Sequence, residues 1–201
     1  MIRILLAVLV TCSSLSLSAQ ELSKKETKAI NKRLKTYVKL TKKEDYNALM
    51  NLIYPKIFEV ASKEQMIEVF NSLEAQGFDM IFEEMKITSL KPVSISTSAN
   101  YVLCPYDMKM KVALVNKEMQ NLEIANSMLE AFKMVYSTGT VSLDKENYTF
   151  QIEGKKHLVA IQNSDYGKDW YFAEFDQSNP MLLNMMFPEE VIKKTKELVK
   201  D

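Results

Sequence analysis

Apolar and polar positions follow two periods along this chain of 201 residues. Apolar side chains recur at helical spacing over residues 30–38, 46–54, 66–73 and 122–136, which predicts four amphipathic helices. Thr41 with Glu44 and Ser62 with Gln65 form capping boxes that predict where the second and third helices start, and Gly77 predicts where the third ends. A closing helix is predicted over 189–200.

A two-residue period predicts strands over residues 78–91 and 101–115. On the second of these strands one face is apolar and the other carries Asp107, Lys109 and Lys111. The apolar face consists of Val102, Cys104, Tyr106, Met108, Met110, Val112 and Leu114. Because this strand is unusually long, we expect a bulge or bend near Pro105.

Residues 148–161 predict a β-hairpin. Apolar and polar residues alternate up to Gly154-Lys155, which has glycine first, as one type of two-residue turn requires. The expected cross-strand pairs are Ile152 with His157, Phe150 with Val159, and Tyr148 with Ile161. This pairing places the apolar residues of both strands on one face. A further strand is predicted over 170–175.

This order of elements predicts an α+β fold. Three helices precede mostly antiparallel strands, with one helix inserted among the strands and one appended after them. We therefore expect N-terminal helices packed on a curved, mostly antiparallel sheet that encloses a cone. Residues 20–201 have the length of a single domain, and the sequence contains neither a linker nor a repeat.

Three features of the predicted fold suggest a family. They are the leading helices, the Gly154 hairpin, and the sequence Gly-Lys-Asp-Trp at 167–170 before a strand with Tyr171, Phe172 and Phe175. In these features the chain resembles the nuclear-transport-factor-2-like (cystatin-like cone) superfamily, especially its small exported bacterial members. The resemblance extends over most of residues 21–175. The inserted helix and the tail after Asn179 depart from the minimal fold, and both could cover or fill the mouth of the cone.

Residues 1–19 are interpreted as a secretory signal peptide. Arg3 precedes an apolar run over 4–10 that is too short to span a bilayer. The small residue Ala19 marks the expected cleavage site. The mature protein is therefore expected to be periplasmic or secreted, without a membrane span. In the alternative interpretation, the segment up to Cys12 is a lipobox, and a lipid on Cys12 anchors the protein.

Composition excludes several classes of protein. The formal net charge is zero, so no basic excess indicates nucleic acid binding, and the lysines of the first helix are interpreted as a solvated face. With Cys12 in the signal, Cys104 is the single cysteine of the mature chain, and its position on an apolar face predicts burial. We expect no cofactor and no metal, because one histidine and one cysteine show no metal-ligand spacing.

No catalytic residue is assigned from the sequence. His157 can titrate near neutral pH, but no base or nucleophile is paired with it, and a structural role is favoured. Enzymes of the cone superfamily place Asp, Tyr or His in the cavity; Glu174 is the best acid for such a role here, although a surface position is favoured. The expected pocket-lining residues are Tyr106, Met108, Met110, Tyr148, Phe150, His157 and Trp170.

A dense apolar cluster follows Pro180 and consists of Met181, Leu182, Leu183, Met185, Met186 and Phe187. Filling of the core is the favoured interpretation. The alternative is an exposed patch that binds a partner or ligand.

These observations favour an exported, non-enzymatic module that binds a small apolar ligand or an envelope protein. Two alternatives stay open: a cone-fold enzyme of proton-transfer or hydration type, and a structural homodimer whose sheet faces pair. An open cavity with converging polar groups would favour the enzyme, whereas a filled cone with an exposed apolar sheet would favour the interaction protein.

Overall fold

Six strands form one antiparallel, curved and unclosed sheet in the computed structural model, which describes residues 21–95 and 98–200. The strands are β1 (Phe78–Ile87), β2 (Lys91–Pro92), β3 (Ala99–Leu114), β4 (Thr140–Asp144), β5 (Thr149–Asn163) and β6 (Tyr171–Glu174). Their order is β1-β3-β5-β4, with β2 also beside β3 and β6 also beside β5. The predicted signal peptide lies outside the described residues.

The helices are α1 (Lys24–Lys42), α2 (Tyr46–Leu49), α3 (Lys63–Ala75), α4 (Leu122–Val135), α5 (Pro180–Met186) and α6 (Glu189–Lys200). Short 3₁₀ turns occur at Pro55–Glu59 and Ser164–Tyr166. The α+β class is confirmed, with helices before the sheet, one inserted into it and two after it.

One of the two predicted capping boxes is present in the structure. The capping box at Ser62 and Gln65 is confirmed. The box predicted at Thr41 is wrong, because Thr41 belongs to α1 and its buried hydroxyl donates to the Tyr37 carbonyl at 3.0 Å. Asp45 caps α2 instead, and its carboxylate accepts the Ala48 N–H at 3.0 Å.

The faces of β3 are as predicted, and the bulge is not. All seven apolar residues of the predicted face are buried in one core. The pairing of β3 with β5 runs through Pro105 without a shift, and the irregularity lies in β1 between Phe82 and Glu84. The Pro105 carbonyl accepts the Thr88 N–H at 2.9 Å, so the missing N–H of Pro105 faces the gap where β1 ends and β2 begins.

The hairpin predicted at Gly154-Lys155 is wrong. β5 runs unbroken through this dipeptide, and Gly154 and Lys155 pair with Met108 and Asp107 of β3. The turn lies earlier, between β4 and β5, where the Asp144 carboxylate accepts the Glu146 N–H at 3.0 Å. The long ladder with β3 satisfies more backbone groups than a short hairpin would, and it therefore determines the path of the chain.

At the contact between Gly154 and the segment before β4, the packing requires glycine at position 139. Gly139, just before β4, lies against β5, and a Cβ on Gly139 would come within 2.1 Å of the Glu153 carbonyl oxygen. A Cβ on Gly154 would meet the Gly139 Cα at 3.4 Å, an ordinary contact. The close approach of these two segments of the backbone therefore requires glycine at position 139 more than at position 154.

Two hydrophobic cores cover the two faces of the sheet. The first core lies under α1 and α4, and Phe132 of α4 meets Phe150 edge-on at 4.9 Å. The second core lies on the opposite face, under α5 and α6. The tail after Asn179 thus packs on the second face of the sheet.

Because β5 is continuous, its residues alternate between the two cores. Phe150 and Leu158 lie in the first core, and Val159 in the second. The predicted pairing of Phe150 with Val159 on one face is therefore wrong. His157 points to the face of Val159, away from Phe150.

Truncating Phe150 should cost far more stability than truncating its neighbour. Phe150 is fully buried, so Phe150→Ala should lower the free energy of unfolding by about 3–5 kcal/mol. Gln151 is exposed, and Gln151→Ala should change it by less than about 1 kcal/mol. Urea melts of both variants measure the difference. Similar losses would contradict the assignment of the two faces.

The two glycines at the β4–β5 contact should respond differently to alanine. Gly139→Ala should destabilise the protein by about 1–3 kcal/mol, because its Cβ has no room beside the Glu153 carbonyl. Gly154→Ala should change stability by less than about 1 kcal/mol. Urea melts compare the two variants, and a larger loss at Gly154 would favour a turn there.

Candidate functional site

Most of the expected pocket-lining residues are packed into the first core. Tyr106, Met108, Met110, Phe150 and Trp170 are buried there, and Tyr148 is half-buried against the same core. His157 is half-buried on the other face of the sheet. The structure thus brings six of these seven residues to one core and separates His157 from them.

A groove of about 1150 Å³ lies between α1 and the connection from β5 to β6. One wall is a face of α1, and the other is the 162–170 segment with Trp170. Its charged lining residues are Lys25, Glu26, Lys32, Arg33, Lys168 and Asp169. Four cations therefore meet two acids, and one of those acids, Glu26, is held by the Ser23 cap of α1.

Arg33 is the residue of this groove whose hydrogen bonds are least satisfied. Its Nη1 lies 3.1 Å from an Asp169 carboxylate oxygen, and its guanidinium stacks 5.4 Å from the centre of the Tyr171 ring. Its Nε is buried and has no hydrogen-bond partner among the described residues. Since buried N–H groups almost always have a partner, this donor is an exception.

The side-chain amides of Asn100 and Gln162, which we call the floor of the groove, also belong to its lining. The Asn100 amide donates to the Gln162 side-chain oxygen at 3.2 Å, and the Gln162 amide donates to the Lys168 carbonyl at 2.7 Å. These bonds tie β3, β5 and the β5–β6 connection together. The groove therefore combines charged and amide groups with a lining whose surface is mostly apolar, to which Ala29, Leu52 and Trp170 contribute.

A second polar cluster lies on the first-core face of the sheet. Glu174, the last residue of β6, accepts a hydrogen bond of 2.6 Å from the Tyr106 hydroxyl of β3. Lys156 of β5 pairs with Tyr106, and its ammonium lies 4.8 Å from the Tyr136 ring at the end of α4. Three strands and a helix thus direct a carboxyl, a phenol and an amine into one region.

The surroundings of Glu174 favour its neutral form. The residue is exposed to solvent, yet packed protein atoms around the carboxyl raise its pKa from 4.5 to about 7. The Tyr106 hydrogen bond and the Lys156 charge oppose this rise, whereas Asp176 adds to it. Burial, with the Glu174 charge, raises the pKa of Tyr106 well above its ordinary value. Glu174 is therefore an accessible group that can hold or release a proton near neutral pH.

The sequence pointed to Glu174 and Tyr106 as candidates but not to Lys156 beside them. The misplaced hairpin moved the second half of β5 to the wrong face, so Lys156 was not recognised beside Tyr106. Continuing the alternation of β5 through Gly154 would have found it. Arg33 belongs to the same helix as the lysines interpreted as a solvated face, and nothing in the helical pattern identifies it as a site residue.

His157 and Cys104 take no part in either cluster. Burial, Lys91 and Lys156 lower the pKa of His157, so it is neutral at physiological pH. Cys104 is buried, as predicted, and burial raises its pKa to about 12, which disfavours the reactive thiolate. Residues 21–95 and 98–200 contain no group of three His, Cys, Asp or Glu side chains that could hold a metal.

The apolar cluster after Pro180 is divided between core and surface. Leu183, Met186 and Phe187 are buried in the second core, where Phe187 contacts the Phe175 ring at 6.0 Å. Met181 and Met185 are 72% and 42% exposed. The cluster thus fills the core with one side of α5 and leaves two methionines in solvent.

Comparison with known proteins assigns no family. No protein-family model matches the chain. No curated protein matches its sequence. Within the described ranges, no helix is both long and apolar enough to cross a membrane.

The pH dependence of stability tests the environment of Glu174. Its pKa is about 7 in the folded protein and near 4.5 when unfolded, so the folded state prefers neutral Glu174. This preference is fully present below pH 4.5 and is lost as the pH rises through 7. In Glu174→Gln, which stays neutral, that decline should be absent, and urea midpoints from pH 4.5 to 8 measure it.

Glu118→Gln is the matched control, because it removes an exposed carboxylate at a distant loop. Its urea midpoints should follow those of the native protein across the same range. A native-like decline in Glu174→Gln would contradict the raised pKa.

Proposed function

We propose that this protein is an exported, non-enzymatic binding module of the nuclear-transport-factor-2-like superfamily, with its ligand site in the groove between α1 and the β5–β6 connection. The ligand is a small polar solute that carries a carboxylate or phosphate group. The observation that carries the proposal is the excess of positive charge in this groove, where Lys25, Lys32, Arg33 and Lys168 meet only Glu26 and Asp169. An oxyanion balances this charge and accepts charge-assisted hydrogen bonds from these cations.

The packing of the first core supports a groove rather than the interior as the site. Side chains expected to line an apolar pocket, among them Met108, Met110 and Phe150, contact one another there. The groove has the volume of a small-molecule site, and its lining includes the hydrogen-bonded amides of Asn100 and Gln162. We therefore replace the apolar ligand expected from the sequence with a polar, anionic one.

Export and family membership rest on the sequence and the fold. The basic start, apolar run and small-residue site in residues 1–19 support export. The helices packed on a curved antiparallel sheet support the superfamily. Pairing of sheet faces in a homodimer has less support, because α5 and α6 cover part of the second face. Ion pairs such as Lys109–Glu153 lie on the rest of that face.

Proton transfer is the second candidate function. The specific observation in its favour is the hydrogen bond of 2.6 Å from the Tyr106 hydroxyl to the Glu174 carboxyl. The pKa of Glu174, about 7, suits a general base or acid at neutral pH. Glu174 would take or return the proton, and the Tyr106 hydroxyl, which donates to it, would hold the carboxyl in position. The pH dependence of the stability of Glu174→Gln, compared with that of the native protein, tests the pKa on which this candidate depends.

Fluorescence of Trp170, the single tryptophan of the chain, provides a direct binding assay for the groove. Titration with a panel of small di- and tricarboxylates and sugar phosphates should give a saturable change for at least one compound. Arg33→Gln should weaken its binding about 10–100-fold, the loss of charge-assisted hydrogen bonds. Asp169→Asn should strengthen it, because Arg33 loses its competing carboxylate.

Lys145→Gln serves as the control, because it removes one exposed positive charge on the β4–β5 turn. Its affinity should equal that of the native protein. Equal binding by Arg33→Gln, or no saturable response to any compound of the panel, would contradict the proposed site.

A further inference from the structure

One face of α1 carries lysines along its whole length. These are Lys24, Lys25, Lys28, Lys32, Lys35, Lys39, Lys42 and, at the C-cap, Lys43. At 3.6 residues per turn they fall within an arc of about 100° and extend over about 28 Å. We call this surface the lysine stripe; all eight of its residues are exposed.

The lysine stripe lies opposite the buried face of α1. Ile30, Leu34 and Tyr37 project on the far side of the helix into the first core. Because these anchors are almost fully buried, α1 cannot turn about its axis without exposing them. The ammonium groups are therefore presented in a fixed, nearly straight row.

The charge of the stripe is not neutralised within the described part of the chain. The sequence places no acid within its arc. None of the ion pairs between described residues includes a stripe lysine. Lys42 donates to the Glu83 carbonyl at 2.6 Å, which leaves its charge unpaired. With a formal net charge of zero for the whole chain, this concentration of positive charge is local.

We propose that the lysine stripe docks the protein on an anionic lipid surface. A straight row of charges on a rigid helix fits a plane, in which headgroup phosphates lie side by side. Each lysine near such a surface contributes about 1 kcal/mol through its charge. This interaction surface borders the groove, because Lys25 and Lys32 belong to both.

The side-chain types favour lipid over nucleic acid. The stripe contains lysines and no arginine, and lysine is a point charge without the fork that grips individual phosphates. No aromatic side chain lies in its arc to stack on a base.

Vesicle flotation of the full chain tests this proposal. Vesicles of phosphatidylcholine are compared with vesicles of phosphatidylcholine and phosphatidylglycerol. The stripe variant carries Lys24→Gln, Lys28→Gln, Lys35→Gln and Lys39→Gln; glutamine preserves helix propensity, and none of these lysines lines the groove. Its partitioning onto anionic vesicles should fall about 10²–10³-fold, while binding to neutral vesicles stays unchanged.

The matched control variant carries Lys117→Gln, Lys145→Gln, Lys193→Gln and Lys196→Gln. It removes the same charge from exposed positions elsewhere and should bind anionic vesicles like the native chain. Raised salt should weaken native binding through screening. Circular dichroism checks that both variants stay folded.

Equal binding of the native chain to both kinds of vesicle would overturn the proposal, and so would equal losses of vesicle binding in the stripe variant and the control variant. Tighter binding of the native chain to duplex DNA than to anionic vesicles at the same salt would also overturn it. The Trp170 titration should be unaffected in the stripe variant, so a failure of the groove and a failure of the stripe are distinguishable.

Discussion

The antiparallel ladder between β3 and β5 determines the arrangement of everything else. It joins Ala99–Ala113 to Asn163–Thr149 without a shift, so both strands keep one alternation from end to end. Each residue is thereby assigned to one of two buried faces, with the first core on one and the second on the other. A slip of one residue would move every side chain of a strand to the wrong core, and the burial of both faces resists that slip.

The same ladder brings the polar groups together. Tyr106 and Lys156 are direct neighbours across it, and Glu174 joins them because β6 continues the sheet beside β5. At the end of the ladder, Asn100 and Gln162 pair on the floor of the groove. The two candidate sites therefore depend on one sheet register. The cluster around Glu174 offers a proton donor and acceptor, and the groove offers positive charge that includes the Arg33 guanidinium.

Charge is arranged in layers around this framework. The first-core face of the sheet holds a few polar groups whose pKa values are shifted by the atoms around them. α1 covers that face with an apolar side and presents lysines to solvent with the other. A chain without net charge thus has a strongly basic side, and composition alone conceals this because the acidic residues lie elsewhere.

Local chemistry was sufficient for most elements. Periodicity and caps predicted α1, α3, α4, α6 and the apolar face of β3, because each depends on neighbours a few residues away. The Gly154 hairpin failed because a glycine that permits a turn also permits the close approach of Gly139, and only the partner strands distinguish the two. The positions of Lys156 beside Tyr106 and of Arg33 beside Asp169 are likewise long-range facts. Local patterns specified most of the helices and strands and their apolar faces, but neither β4 nor α5. Which faces meet depends on the tertiary structure, since strand pairing joins residues too distant in the chain for any local pattern to specify.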